Sequence, residues 1–259
     1  MRLTLFYDQT AEQNASAYFE KAKKMKKKVK GAEEAILKLQ KRLAEKEARF
    51  RSVLAEKQEV KKTRKKEWYE KYRWFFTSEG FLVIGGRDAT SNDIIVKKHV
   101  EKDDLVFHTD MAGSPFFVIK TGGKQPKEPS IREAADATAS FSRGWTKGLT
   151  TLATFWVKPE QVSKTPNPGE FLPRGAFMIR GKTNYVDVKM EIAIGVADGR
   201  VVSGPLSAVK AQTEDYLLLH QGEMKKSDAA KQVARRFKAD LDEVMHMMPP
   251  GNCSISPRD

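Results

Sequence analysis

The sequence predicts an α+β fold: a mixed or antiparallel sheet with flanking helices, preceded by a long basic helical arm of coiled-coil character. Three observations predict it. From Phe81 onward, apolar runs of strand length recur, rich in β-branched and aromatic residues and punctuated by glycine. From Ala11 to about Lys71 there is no proline and Gly31 is the only glycine, while Ala, Glu, Lys, Leu and Arg, all strong helix formers, dominate. Near the C-terminus Val233, Phe237, Leu241 and Val244 recur at helical spacing.

The chain has 259 residues, room for one medium domain with an appendage. It carries 47 Lys and Arg against 34 Asp and Glu, a formal net charge of +13. A surplus of that size favours an anionic partner, nucleic acid first and an anionic membrane second. No apolar run approaches transmembrane length, and the opening residues have no basic segment followed by an apolar one, so neither a membrane partner nor a secretory signal is expected. Cys253 is the only cysteine, which rules out an intrachain disulfide and a cysteine-based metal site and suits a reducing, cytoplasmic setting.

The arm is expected to span residues 1–72, the α+β domain 73–248 and a tail 249–259. Met1 to Tyr7 alternates like a short strand or extended arm. Thr10 and Gln13 then have capping-box spacing for a helix start. Ile36, Leu39, Leu43, Phe50, Val53 and Val60 follow in steps of three and four, with Lys46 and Lys57 interrupting the seam. The pattern fits one long helix or a helical hairpin broken or kinked at Gly31. The runs KAKKMKKKVK and KKTRKK make the arm a candidate RNA contact, many weak charges neutralising many phosphates. The aromatic cluster Trp68, Tyr69, Tyr72, Trp74, Phe75 and Phe76 reads as packing at the domain junction in preference to base stacking.

Strands are expected at Phe81–Ile84, Leu105–Phe107 and Phe116–Ile119, with a helix over Asp93–Val100 capped by Ser91 or Asn92. That helix start, directly after Gly85-Gly86-Arg87-Asp88, would offer backbone N–H groups to a phosphate, and Arg87 would add a bidentate charge. The alternative is an Arg87–Asp88 ion pair that fixes the loop. His108-x-Asp110 invites a metal or acid–base reading, but a metal needs three or more ligands and the other histidines, His99 and His220 among them, are remote in sequence. A structural or RNA-contacting hydrogen bond from His108 is the expectation, with no metal and no cofactor.

Further along, Ser130 is expected to cap a helix from Ile131 to about Arg143, and Ala153–Val157 to form a strand. Gln161-Val162-Ser163-Lys164 and Arg180-Gly181-Lys182 flank strands with polar and basic groups suited to phosphate and sugar contacts. Asp198-Gly199 marks a hairpin turn, Tyr216–His220 a last strand, and Ser227 the cap of a helix from Asp228 to about Met247. A P-loop is absent: Gly181-Lys182-Thr183 lacks the upstream glycine at the required spacing.

One stretch carries a resemblance. Trp74-Phe75, Ser78-x-Gly80, Gly85-Gly86-Arg87-Asp88, Asn92, Asp104, His108, Asp110 and Gly113, in that order and spacing, resemble the RNA-binding domain of the NFACT family of ribosome-associated quality-control factors, most closely its archaeal and eukaryotic members. Asn14, Tyr18 and Phe19 resemble the entry to the family's coiled coil, and Gln161–Lys164, Gly169–Leu172 and Gly175–Lys182 resemble the second half of the domain. Gly204-Pro205 and Lys225-Lys226 resemble its closing segment. The chain has no room for the family's N-terminal and helix-hairpin-helix domains, so it is expected to be a short member or a fragment.

The resemblance implies a non-enzymatic factor that binds tRNA or rRNA and engages the large ribosomal subunit at stalled nascent chains. The expected binding surface is Arg87, Asp88, Asn92, His108, Asp110, Ser163, Lys164, Arg180 and Lys182. Two alternatives stay open: a homodimerising interaction module built on the helical arm, and an RNA-processing enzyme using Asp88, His108 and Asp110.

Overall fold

The structure is a computed structural model that describes residues 4–61, 66–169 and 171–256, with 48–61 as backbone only. It divides into two compact units, Met1–Lys66 and Glu67–Asp259.

In the first unit α1 (Ala11–Lys61) is one helix of 51 residues. The expected capping box is present: Gln13 N donates to Thr10 Oγ1 at 3.2 Å, and Thr10 N donates to Gln13 Oε1 at 2.9 Å. The break or hairpin expected at Gly31 does not occur. A helical glycine costs only about 1 kcal/mol relative to alanine, too little to interrupt flanking runs of strong helix formers. Residues 4–6 form no strand and fold back onto the first turns of α1. Tyr18 receives Thr4 N and donates to Thr4 O, at 3.0 and 2.6 Å. Asn14, itself buried, brackets Phe6 from both sides of its amide at 2.8 and 3.0 Å. Ile36, Leu39 and Leu43 are 53%, 64% and 59% exposed, so the seam is uncovered along this part of the helix. The expectations resting on Phe50, Val53, Lys57, Val60 and the basic residues 62–65 fall outside the described side chains.

The second unit contains β1 (Arg73–Phe76), β2 (Leu82–Gly85), β3 (Leu105–Thr109), β4 (Phe117–Lys120), β5 (Thr154–Val157), β6 (Val162–Ser163), β7 (Met178–Ile179) and β8 (Asn184–Val186). The later strands are β9 (Ile192–Ala197), β10 (Arg200–Gly204), β11 (Tyr216–Met224) and β12 (Cys253–Ser256). One sheet has the order β1-β2-β4-β3-β5-β8, a second β10-β9-β11-β12, and β6 and β7 form a separate ribbon. Every pairing is antiparallel. The unbroken apolar runs Val83-Ile84, Val106-Phe107 and Phe117-Val118-Ile119 are fully buried, as strands covered on both faces require. Helix α3 (Glu128–Ser140) lies on β3, β4 and β5, and its buried alanines 134, 135, 137 and 139 permit the close approach. Strand β10 meets β1, where Gly204 abuts the Phe75 ring.

Several elements depart from the expectations above. The aromatic cluster contributes β1, with Tyr69, Tyr72, Trp74 and Phe75 buried in the core; Trp68 stays 45% exposed and stacks on His99 at 4.6 Å. Helix α2 (Ala89–Lys98) starts four residues early because Asp88, not Ser91 or Asn92, caps it. Helix α3 starts at Glu128, with Pro129 in its first turn, where a missing N–H costs nothing. Ser130 is therefore inside the helix; its hydroxyl donates to Glu79 Oε2 and lies 2.9 Å from the Thr77 hydroxyl. The last expected helix is two helices, α6 (Lys226–Phe237) and α7 (Leu241–Met247) by the numbering that follows α4 (Arg143–Thr146) and α5 (Leu206–Lys210). Lys238 leaves α6 in the left-handed conformation, φ 51°, and Asp240 restarts the chain as the cap of α7. Residues 253–256, expected as tail, pair with β11.

Candidate nucleic-acid interface

The segment Gly85-Gly86-Arg87-Asp88 links β2 to α2, and three of its four residues have a structural task. Gly85 faces Phe117 across the strand pair, where a Cβ would overlap the ring. At Gly86 a Cβ would collide with Asn92 Oδ1. Asp88 closes a capping box with Ser91: Ser91 N donates to Asp88 Oδ1 at 2.7 Å, and Asp88 N donates to Ser91 Oγ at 2.9 Å. Those hydrogen bonds hold the Asp88 carboxyl below its ordinary range. A carboxylate thus occupies the helix start where free N–H groups for a phosphate were expected. Arg87 differs from its neighbours. It is exposed, forms no ion pair with Asp88, and its guanidinium has no acceptor among the described residues.

Asn92, His108 and Lys164 are drawn together by a chain of rings. Asn92 is buried, and its Oδ1 accepts from Phe116 N at 3.2 Å. The Phe116 ring stacks on His108 at 4.2 Å and meets Phe177 edge-on at 5.2 Å. Lys164 Nζ sits 4.4 Å over Phe177, a cation–π contact. The same ammonium donates to Asp93 Oδ1 at 3.0 Å, Ala176 O at 2.7 Å and Pro173 O at 3.3 Å. Lys164 is a hub that ties the 173–176 turn to the first turns of α2, and Gly175, with φ 79°, packs directly on Ala89. His108 Nε2 lies 3.2 Å from Ser114 O, which can only accept, so Nε2 carries the proton. Burial holds this imidazole below its ordinary pKa. No group of three or more His, Cys, Asp or Glu side chains is placed to hold a metal ion among the described residues.

The remaining expected residues lie nearer the surface. Asp110 is exposed and accepts from the Tyr185 hydroxyl through both oxygens at 3.2 Å. Ser163 Oγ accepts from Thr165 N at 3.1 Å and so shapes its own loop. Arg180 is exposed and donates to Thr165 O at 3.2 Å; Lys182 is exposed and its ammonium has no partner among the described residues. What positions this pair is Gln161, whose amide donates to both Arg180 O and Lys182 O at 2.9 and 2.8 Å. The β6–β7 ribbon is thereby pinned while its two cations point outward.

Sequence reading missed two exposed aromatics in this part of the chain. Tyr185 and Phe171 are 60% and 86% exposed and could stack on bases. Only their exposure distinguishes them from the many core aromatics, and no sequence pattern reports that. Asp104, by contrast, is wholly structural: buried, it pairs with Lys120 and accepts from Thr121 N at 3.0 Å and Glu101 N at 2.8 Å.

Known proteins resemble parts of this chain. Residues 71–181 match the family model of the NFACT protein RNA binding domain. The archaeal Rqc2 homolog aRqcH of Methanocaldococcus jannaschii is 41% identical over 207 residues, which are 77% of this chain and 30% of that protein. The human ribosome quality control complex subunit NEMF is 38% identical over 178 residues, 67% of this chain and 16% of NEMF. A solved structure, the C-terminal part of the fibronectin/fibrinogen-binding protein from Streptococcus suis, aligns over 49% of this chain and 47% of its own with 19% identity and a TM-score of 0.40. The chain spans less than a third of the length of these curated relatives. Over residues 71–181 the chain carries an RNA-binding domain of the NFACT family.

Proposed function

We propose that this chain is an RNA-binding factor of cytoplasmic ribosome-associated quality control, engaging tRNA and the large ribosomal subunit at stalled nascent chains without catalysing a reaction. The observation that carries the reading is the contrast within Gly85-Gly86-Arg87-Asp88. Three residues build the turn, and the fourth presents a guanidinium that the fold itself does not use. An exposed arginine on a rigid turn suits a phosphate, because its planar fork bonds two oxygens at once. Arg180 and Lys182, on a ribbon pinned by Gln161, add cations of the same kind. Phosphate contacts position an RNA and carry no base information, so recognition by shape is the expectation. The relatives' names, ribosome quality control subunits, supply the setting.

The test is binding to total tRNA and to purified large subunits across a salt series. Arg87→Ala with Lys182→Ala should weaken tRNA binding roughly 10-fold and lower the slope of log affinity against log salt by about 2. An unchanged affinity would remove this surface from the interface. A second reading, homodimerisation through the arm, is favoured by the uncovered row Ile36, Leu39 and Leu43. It requires a mass that rises with concentration and falls back when Leu39 and Leu43 are made polar.

A further inference from the structure

Beside Arg87, cations converge in the second unit with no carboxylate among the described residues pairing with them: Arg73 on β1 pairs with Gly85 of β2, two residues before Arg87. Arg73, at the start of β1, donates through Nη1 to Met248 O at 3.0 Å. Lys226, the first residue of α6, donates through Nζ to the same oxygen, also at 3.0 Å. Two positive charges thus lie one hydrogen bond either side of one neutral acceptor. No ion pair among the described residues involves Arg73, Lys226 or Arg87. The Nε of Arg73 is buried with no acceptor, and the face of its guanidinium rests on the Phe141 ring at 4.4 Å. The start of α6 adds to the positive field: its N-cap, Lys225, makes no side-chain cap bond.

The cations act on one another as neighbours. Burial first, and then repulsion from Arg73 and Arg87, hold the Lys226 ammonium down to about 8. Burial and Arg87 likewise pull Arg73 below the ordinary arginine value. A structural account, in which Arg73 and Lys226 serve only to satisfy the C-terminal carbonyl of α7, is incomplete. Met248 O can accept both bonds through its two lone pairs, but a neutral oxygen leaves both charges uncompensated, and Arg73 Nε stays buried without an acceptor.

We propose that Arg73, Arg87 and Lys226 form a binding site for a phosphate group, with Lys226 and Arg73 set at its base by Met248 O and Arg87 closing it from the exposed turn before α2. A phosphate supplies several acceptor oxygens and the negative charge that these residues lack. Arg73 offers its remaining guanidinium N–H groups, Lys226 the rest of its ammonium, and Arg87 a free fork. The group is either a backbone phosphodiester of RNA, in which case the site deepens the RNA-binding reading and rests on it, or free phosphate.

The experiment uses the full chain. Inorganic phosphate is titrated against potassium chloride of equal ionic strength, with thermal unfolding as the readout, and tRNA binding is measured in parallel. Phosphate at about ten times its dissociation constant should raise the melting temperature of the wild type by roughly 3–5 °C. Lys226→Met keeps the aliphatic stem and should abolish that response, whereas Lys24→Gln, on the exposed arm, should keep it. A wild type that responds to phosphate no more than to chloride overturns the site. So does a response intact in Lys226→Met, since a purely structural role moves stability but not its phosphate dependence. If Lys226→Met does not fold, Arg87→Ala takes its place and must reduce the response at least about threefold; an undiminished response overturns the site.

Loss of the phosphate response together with weaker tRNA binding assigns the site to an RNA backbone phosphate. Loss of the response with tRNA binding unchanged assigns it to free phosphate. A wild type that responds to phosphate but binds no tRNA leaves the site standing and overturns the RNA-binding reading instead.

Discussion

The helical arm and the folded unit are both basic, but their charges are set in place in different ways. Along α1 the lysines of KAKKMKKKVK are exposed, and the backbone that carries them is held by helix propensity and one capping box. Any of them could be exchanged for another without disturbing a packed neighbour. In the second unit a cation is where it is because something specific holds it there. Gln161 pins the ribbon under Arg180 and Lys182, Met248 O gathers Arg73 and Lys226, and the glycine turn after β2 projects Arg87. The difference teaches that net charge reports an anionic partner but does not say which charges discriminate. Dispersed charges supply salt-sensitive affinity, and positioned charges supply register.

The sharpest way to break this comparison is one substitution made in both regions. At Gly86 an alanine Cβ would overlap Asn92 Oδ1 and displace the acceptor of Phe116 N, so Gly86→Ala should cost about 2–4 kcal/mol in denaturant unfolding of the domain. At Gly31 the same change meets open space and should stabilise α1 by about 0.5–1 kcal/mol, read as helicity by circular dichroism. Equal effects at the two sites would mean that the domain turn is as yielding as the arm.

A smaller effect concerns Asp136 on α3. Burial raises its carboxyl from the ordinary 3.8 to about 6, against the bond from Lys189 N at 2.7 Å that lowers it. Between about pH 4 and 6 the folded state holds a proton that the unfolded chain has released, so this group's contribution to stability is full below pH 4 and is lost as pH rises through 6. Asp136→Asn keeps an oxygen for Lys189 N. It should be more stable than wild type by about 1–2 kcal/mol at pH 7, with the advantage gone below pH 4. An advantage independent of pH would point to packing and not to the charge.

Two binding experiments sharpen the comparison further. Arg87→Ala alone should weaken tRNA binding about 3- to 10-fold while moving stability by less than about 0.5 kcal/mol. Asp88→Ala should do the reverse, costing about 1 kcal/mol of stability through the lost cap. The smallest single effects belong to the arm. Lys23, Lys24, Lys27 and Lys28 changed to Gln one at a time should each lower affinity about twofold or less, and together reduce the salt slope by up to about 3. One arm lysine matching Arg87 in effect would refute the division between dispersed and positioned charge.

Much of the architecture was legible residue by residue. The apolar runs at 81–84, 105–107 and 116–119 became β2, β3 and β4, Asp198-Gly199 turned the β9–β10 hairpin with Asp198 at φ 49°, and the Thr10–Gln13 box opened α1. These are local matters: strand patterning, turn chemistry and capping act within a few residues, so a sequence reports them directly. Motif recognition also reached the domain, because Gly85-Gly86-Arg87-Asp88 and the spaced residues after it are close enough in the chain to be read as one string. Boundaries set by competition were read less well. Ser91, Asn92, Ser130 and Ser227 are all good caps in isolation, but the helices begin earlier, at the N-caps Asp88, Lys127 and Lys225, and the left-handed Lys238 ends α6 before the expected Met247.

The sequence by itself determined that this is a basic α+β chain with a helical arm, that its one cysteine permits no intrachain disulfide, and that its central segment resembles an RNA-binding domain. Only the tertiary structure decided which of its polar residues are spent internally. Asn92 belongs to Phe116, Lys164 to Asp93 and the 173–176 turn, and Asp88 to Ser91, whereas Arg87 and Lys182 remain exposed. Only the fold brings Arg73 and Lys226, 153 residues apart, to one carbonyl oxygen. The physical reason is that hydrogen-bond satisfaction is a property of three-dimensional neighbourhood: a side chain's type states what it is able to bond, and packing selects which partner it meets.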